Sequence, residues 1–287
     1  MSASFSRRAA LKTLGGSALL ASVAPVASAG ATPLHLKGNI KHSVCKWCYP
    51  NLSMEEMAKA AKEMGIESIE IIGPEDWPIA QQYGLTVAMA SGGGNIPNGF
   101  CDPANHSTLI ESYTDLIPKA AKAGLPNVIC FSGNRNGMDD EEGLQHCVVG
   151  LQKLMPLAEQ HGVTLVMELL NSKVDHADYM CDRTPWGVEL VKQVGSERFK
   201  LLYDIYHMQI MEGDVIRTIR DNHEYIAHYH TGGNPGRNEI DETQELNYPA
   251  IMRAIVETGY TGYVGQEFIP KRDPLTSLRE AVALCDV

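Results

Sequence analysis

Four apolar runs in the second half of this chain each end on a side chain that a buried strand does not tolerate alone. Phe199-Lys-Leu-Leu-Tyr runs into Asp204, and Val163-Thr-Leu-Val-Met into Glu168. Tyr225-Ile-Ala-His-Tyr runs into His230, and Gly262-Tyr-Val-Gly-Gln into Glu267. A carboxyl group at the end of a buried strand is costly unless it is paired, protonated or bound to a metal. Successive strands that each deliver an oxygen or imidazole ligand at the same end point to one shared centre. The fold of this chain has to gather those strand ends.

A closed parallel barrel does so, because its C-terminal strand ends converge on one mouth. The rest of the sequence has the matching rhythm. Strand signals at 40–45, 68–72, 85–89 and 127–131 precede the four above. Between them lie helix signals. Ser53-Met-Glu-Glu56 is a capping-box start, opening an apolar pattern through Met57, Ala60, Ala61 and Met64 that Gly65 ends. A short helix falls within 74–83 and a longer one at 106–123. A long one opens at Asp139-Asp-Glu-Glu and runs to His161, and another starts at Thr184-Pro-Trp. The last three are expected at about 211–222, 248–258 and 273–284. Turn-rich stretches at 91–99, 133–137 and 231–246 fall where mouth loops belong. Strands alternating with helices imply a parallel sheet, and eight units imply a single (β/α)8 TIM barrel over residues 31–287. A doubly wound open sheet would want a Gly-x-Gly-x-x-Gly turn after the first strand. Cys45-Lys-Trp-Cys-Tyr-Pro stands there instead.

Residues 1–30 read as a cleavable export signal ahead of the barrel. Ser6-Arg7-Arg8 is a twin-arginine pattern, followed by a weakly apolar run at 14–26 and the small residues Val26-Ala-Ser-Ala29. The run is shorter than the roughly 20 residues that span a bilayer. The expectation is therefore passage through the twin-arginine export machinery to the periplasm, without stable membrane insertion. The formal net charge of −11 argues against nucleic acid and anionic membranes as partners and leaves small molecules. Apolar helix faces allow a homo-oligomer without fixing its size. The seven cysteines form no dense framework. Cys45 and Cys48 have redox-pair spacing without a thioredoxin-like context, so a structural or pocket-lining role is expected, with a disulfide as the alternative.

Three carboxylates and one imidazole (Glu168, Asp204, Glu267 and His230) suit one divalent Mn²⁺, Mg²⁺ or Co²⁺ ion better than a structural zinc. The competing reading has each acid capping a helix or pairing with an arginine. At this point the chain resembles a known family. Val166-Met-Glu-Leu-Leu-Asn-Ser-Lys173, Tyr203-Asp-Ile-Tyr-His-Met-Gln209, His228-Tyr-His-Thr with Pro235-Gly-Arg237, and Gly265-Gln-Glu-Phe-Ile269 are similar to the hydroxypyruvate isomerase family. That family sits among the xylose-isomerase-like barrels, together with ketose 3-epimerases. The resemblance covers about residues 40–287. It implies that Glu168, Asp204, His230 and Glu267 bind the metal and that Glu168 and Glu267 double as the acid–base pair. It also implies that His207 and Arg237 contact substrate oxygens. Asn-Glu-Ile-Asp follows Arg237 where better-known bacterial members carry a His-Glu-Pro-Gly type sequence.

Two further residues are candidates from position alone. Trp47, after the first strand, either stacks on substrate or walls the mouth; Lys173, close behind Glu168, either reaches the substrate or lies at the surface. The resulting expectation is a metal-dependent isomerase that interconverts a small α-hydroxy carbonyl compound through an enediolate, with hydroxypyruvate and tartronate semialdehyde as the implied pair. The alternatives are a ketose 3-epimerase or 3-keto-sugar lyase of the same fold, and a non-catalytic periplasmic sugar-binding protein. A metal-dependent endonuclease fits less well, for want of a basic groove.

Overall fold

Seven short strands, nearly all of them buried on both faces, make one parallel sheet in the computed structural model, which describes residues 34–287. The expected export segment lies outside the described residues. The strands are β1 (Lys41–Cys45), β2 (Ser68–Glu70), β3 (Asn127–Cys130), β4 (Thr164–Glu168), β5 (Phe199–Asp204), β6 (Ile226–Thr231) and β7 (Tyr263–Gln266). Their spatial order is β2-β1-β7-β6-β5-β4-β3, with every pairing parallel. Continuous apolar runs, rather than alternating ones, are what a parallel sheet covered on both sides demands.

The expected third strand at 85–89 is only partly formed. Parallel bridges tie Thr86 to Ser68, and Ala90 to both Ile72 and Val128, so this stretch joins β2 to β3. Between the bridges, side chains take the backbone partners of Ala88. Its N–H donates to Ser68 Oγ (2.8 Å), and its carbonyl accepts from Asn127 Nδ2 (2.9 Å). Both polar groups are satisfied in the buried interior, which is why an irregular stretch can stand there.

Among the described residues ten α-helices cover the sheet: α1 (Met54–Met64), α2 (Trp77–Gln82), α3 (His106–Lys122), α4 (Asp140–Gln152), α5 (Met155–His161), α6 (Thr184–Val194), α7 (Ile205–Met211), α8 (Val215–Asn222), α9 (Tyr248–Glu257) and α10 (Pro274–Cys285). The capping box at Ser53 and Glu56 forms as expected. Two helices differ from expectation. The long one after Asp139 is broken into α4 and α5, because Pro156 lacks an N–H and its ring would strike the carbonyl of Gln152. The helix expected at 211–222 is preceded by α7, which begins directly at the end of β5. Gly213 (φ 68°) and Asp214 (φ 45°) adopt left-handed backbone and separate α7 from α8. Among the described residues no helix is long and apolar enough to cross a membrane.

Strand alternation divides the core in two. Val44, Ile69, Met167, Tyr203, Tyr229 and Val264 pack outward with the helices, whereas Met89, Ile129, Val166 and Leu202 form a separate cluster inside the barrel. Side chains two positions apart share a face. Two places beyond Val166 and Leu202 stand Glu168 and Asp204, so the barrel's apolar plug leads straight into its acids.

Replacing Ser68 by alanine would leave the Ala88 N–H buried and unpaired. The expected cost is about 1–3 kcal/mol, seen in urea unfolding as a lower midpoint at unchanged slope. An unchanged midpoint would show that the serine is dispensable to the closing stretch.

Candidate metal and acid–base site

Each acid of the cluster stands at the end of a strand or directly after it. Asp204 is both the last residue of β5 and the N-cap of α7, its Oδ1 accepting from the His207 N–H (3.1 Å). With no loop between strand and helix, the other oxygen is aimed into the mouth. Glu168 ends β4, His230 lies one residue from the end of β6, and Glu267 follows β7 directly. The ligand atoms of Glu168, Asp204, His230 and Glu267 all lie within 4.8 Å of one another. Oxygen and nitrogen ligands at about 2.0–2.2 Å from one ion stand at most about 4.4 Å apart. The four donors are thus close enough to share one ion.

The state of the lone pairs supports the same fit. His230 Nδ1 is 2.8 Å from Glu267 Oε2 and 3.5 Å from Glu168 Oε1. Neither approach is aligned as a hydrogen bond, and both His230 Nδ1 and Glu168 Oε1 are buried without a partner. Burial opposes a charge on His230, but Cys45 and Glu267 outweigh it and hold the ring's pKa well above its ordinary value, so a cation at this centre would take the place of the Nδ1 proton. Three carboxyls and one imidazole form a donor set for a hard divalent ion.

Electrostatics separate the acids. Burial, reinforced by the charge of Glu267, raises the Glu168 pKa. Burial likewise pushes Asp204 up to about 8, with Arg237 pulling the other way. Burial also acts on Glu267, but His230 and Arg237 outweigh it and hold that carboxyl well below the usual range. One glutamate is therefore kept ionised while its neighbour is biased towards protonation.

Arg237 arrives from the loop after β6 with a left-handed backbone (φ 56°), its carbonyl accepting from the Ile269 N–H (2.7 Å). Its Nη2 donates to Glu267 Oε2 (2.6 Å) and Asp204 Oδ2 (3.2 Å). The guanidinium stands over the rings of Trp47 (5.1 Å) and Tyr206 (5.4 Å), where a planar cation can stack. Trp47 in turn donates its indole N–H to Glu267 Oε1 (2.7 Å), while 41% of the residue remains exposed. It is thus at the mouth and in contact with the cluster.

His207 sits in the first turn of α7, wholly buried. Its Nδ1 accepts from the Asn171 N–H (3.2 Å) and lies 2.6 Å from Asn171 Nδ2. That leaves the ring hydrogen on Nε2, which is 3.8 Å from Asp204 Oδ2 and has no hydrogen-bond partner. Burial, then Arg237, holds its pKa well below the ordinary value, so the ring is a neutral donor. Lys173 is placed elsewhere. Its ammonium donates to the carbonyls of Ile210 (2.9 Å) and Met211 (3.0 Å) and so caps the end of α7. The pull of unpaired carbonyls at a helix C-terminus accounts for this.

Cys45 and Cys48 are both buried free thiols, consistent with the structural alternative to a disulfide. Glu70 and His228 escaped sequence assignment, yet both are wholly buried inside the barrel, with Glu70 Oε2 2.7 Å from His228 Nε2. The signal for Glu70 was present. It is an acid inside the apolar run Ser68-Ile-Glu-Ile-Ile, the same anomaly that marks Asp204.

Comparisons with known proteins bear on the family and the fold. The family model described as xylose isomerase-like TIM barrel matches residues 58–286. Hydroxypyruvate isomerase of Escherichia coli K12 is 26% identical over 234 residues, covering 76% of this chain and 89% of that one. A 2-oxo-tetronate isomerase of Haemophilus influenzae is 27% identical over 238 residues, covering 77% and 89%. Among solved structures, apo 3-keto-D-glucoside 4-epimerase from E. coli superimposes with a TM-score of 0.72 at 19% identity, covering 86% of this chain and 98% of that one, which is a likeness of fold. With strands, helices and buried acids in this arrangement and a family match over most of its length, the chain belongs to the xylose isomerase-like TIM barrel family.

Proposed function

We propose that this chain is a metal-dependent isomerase that moves a proton between adjacent carbons of a small α-hydroxy carbonyl acid, with hydroxypyruvate and tartronate semialdehyde as the interconverted pair. The observation that carries this reading is the convergence of Glu168, Asp204, His230 and Glu267 on one buried centre, and the opposite directions in which their surroundings push Glu267 and Glu168 support it. Groups whose surroundings drive their pKa values apart are the natural acid and base of a site. The isomerase relatives support the reaction class.

Glu168, Asp204, His230 and Glu267 would hold one divalent ion, Mn²⁺ or Mg²⁺, which supplies positive charge to the oxygens of the developing enediolate. The remaining work falls to the side chains. Glu267, already ionised, takes the proton from the hydroxymethyl carbon. Trp47 and Arg237 orient its carboxylate through the two hydrogen bonds already in place. Glu168 returns a proton to the former carbonyl carbon. A hydroxyl proton passes from the old hydroxyl oxygen to the old carbonyl oxygen, so the net change is one C–H and one O–H exchanged between neighbouring positions. His207 Nε2–H is a fixed donor for a substrate oxygen, and the Arg237 fork suits a carboxylate. The aromatic walls of Trp47 and Tyr206 limit how far Arg237 can swing.

In D₂O with Mn²⁺ supplied, proton NMR is expected to show deuterium entering hydroxypyruvate and its aldehyde product. Glu267→Gln is expected to lose about 100- to 10,000-fold of that rate. Exchange confined to a neutral ketose or a 3-keto-glucoside would move the assignment to the epimerase or lyase branch. Exchange into none of these would leave a sugar-binding role.

The raised pKa of Asp204 makes a separate statement about the metal. Below about 8 its carboxyl carries a proton that the ion must displace. Mn²⁺ affinity should therefore rise with pH up to about 8 and level off above it. Calorimetry in two buffers of different ionisation enthalpy reads the released proton directly. Affinity independent of pH between 6 and 8 would sink this prediction.

A further inference from the structure

Beneath the four-ligand cluster the barrel encloses polar side chains that the reaction above does not use, among them Cys45, Glu70 and His228, all wholly buried. Cys45 and Glu70 are register partners on neighbouring strands, so their side chains stand side by side. Both reach the far side of His230. Its Nδ1 faces Glu168 and Glu267, while its Nε2 lies 3.7 Å from Cys45 Sγ and 3.7 Å from Glu70 Oε1. Cys45 S–H donates to Glu70 Oε1 at 3.9 Å, and the second oxygen of Glu70 leans on His228 Nε2 at 2.7 Å.

We propose that Cys45 and Glu70 are positioning residues for His230, holding its Nε2–H so that Nδ1 turns a bare lone pair to the metal. This rests on the metal reading given above. An imidazole has two distinct nitrogens, and the partner of one decides what the other can do. The thiol stands in a chain that runs from His230 Nε2–H to Cys45 sulfur and from Cys45 S–H to Glu70. A buried carboxyl at the end of that chain favours a basic, well-oriented ring, as outer partners of metal-bound histidines do.

An independent feature of the backbone speaks for the same arrangement. Gly265 pairs in register with His230. A Cβ built there would fall 1.9 Å from Glu70 Oε1 and 2.8 Å from His230 Cδ2. Only a residue without a side chain lets Glu70 and His230 approach each other, so the glycine on β7 is a requirement of this contact. Three atoms spaced 3.7–3.9 Å apart also have the spacing of a small soft-metal site. The lean of Glu70 on His228 and the hydrogen-bond chain through the thiol favour the supporting role.

The test compares Mn²⁺ affinity, by the EPR signal of free Mn²⁺, across the full chain and its variants Glu70→Gln, Cys45→Ala and Cys45→Ser. Glu70→Gln and Cys45→Ala are expected to bind a single Mn²⁺ about 10- to 100-fold more weakly. Cys45→Ser, whose hydroxyl keeps the chain, is expected to stay close to the unsubstituted protein. Circular dichroism should be unaltered; a lowered Tm with unchanged affinity of the folded protein is the result that a merely structural role would give, and it would overturn the proposal. Unchanged Mn²⁺ affinity in both Glu70→Gln and Cys45→Ala would overturn the proposal. If Glu70→Gln does not fold, Cys45→Ala decides alone. A second equivalent of Zn²⁺ bound by the unsubstituted chain and lost in Cys45→Ala would also overturn it, by making these side chains ligands themselves. No Mn²⁺ bound by the unsubstituted chain would remove the metal reading, a different failure from unchanged affinity in the variants.

Discussion

Three carboxyl groups share one buried pocket at the end of this barrel, and their mutual repulsion is the constraint around which the mouth is built. Like charges at such separations cannot all be ionised in a poorly solvated site without nearby positive charge. The protein responds in two ways. It brings His230 and the Arg237 guanidinium against Glu267, and it lets Glu168 and Asp204 drift towards protonation. The same response is chemically useful, because it leaves a base and an acid within one cluster.

Much of the surrounding structure keeps those groups from relaxing apart. β5 passes into α7 without a loop, so Asp204 is fixed by a strand on one side and by its own capping bond on the other. His207 rides on the first turn of α7, its ring pinned by Asn171. Lys173 ties down the far end of the same helix. A lysine that sequence position made a candidate for substrate contact thus serves the site by immobilising the helix that carries His207. Arg237 is held by a left-handed backbone and two aromatic faces, so its charge stays between Asp204 and Glu267.

The interior is layered in chemistry as well as in shape. An apolar plug of Met89, Ile129, Val166 and Leu202 occupies the interior behind Glu168 and Asp204, while Cys45, Glu70 and His228 support His230 from behind. Within that layer the Cys45 thiol links His230 to Glu70 Oε1, while Glu70 Oε2 and His228 Nε2 stand 2.7 Å apart.

Some of this was legible in the chain alone. An acid or histidine at the end of each of four apolar runs marks Glu168, Asp204, His230 and Glu267, and the two-residue period of a strand assigns them to one face. Alternating strand and helix signals lead to the parallel barrel, and Ser53 with Glu56 marks a helix start. All of these are local properties, written within a few residues of one another. The break at Pro156 is equally local, a missing N–H and a ring clash within one turn. What only the tertiary structure decided depends on atoms far apart in sequence. The closing stretch at 86–90 is irregular because Ser68 and Asn127 claim its backbone. Lys173 turns to α7 because unpaired carbonyls end there. Glu70 and Cys45 meet His230 because Gly265, on another strand, leaves room. Periodicity places a side chain on a face; which groups it meets there is settled by strand register and by the space that its neighbours leave.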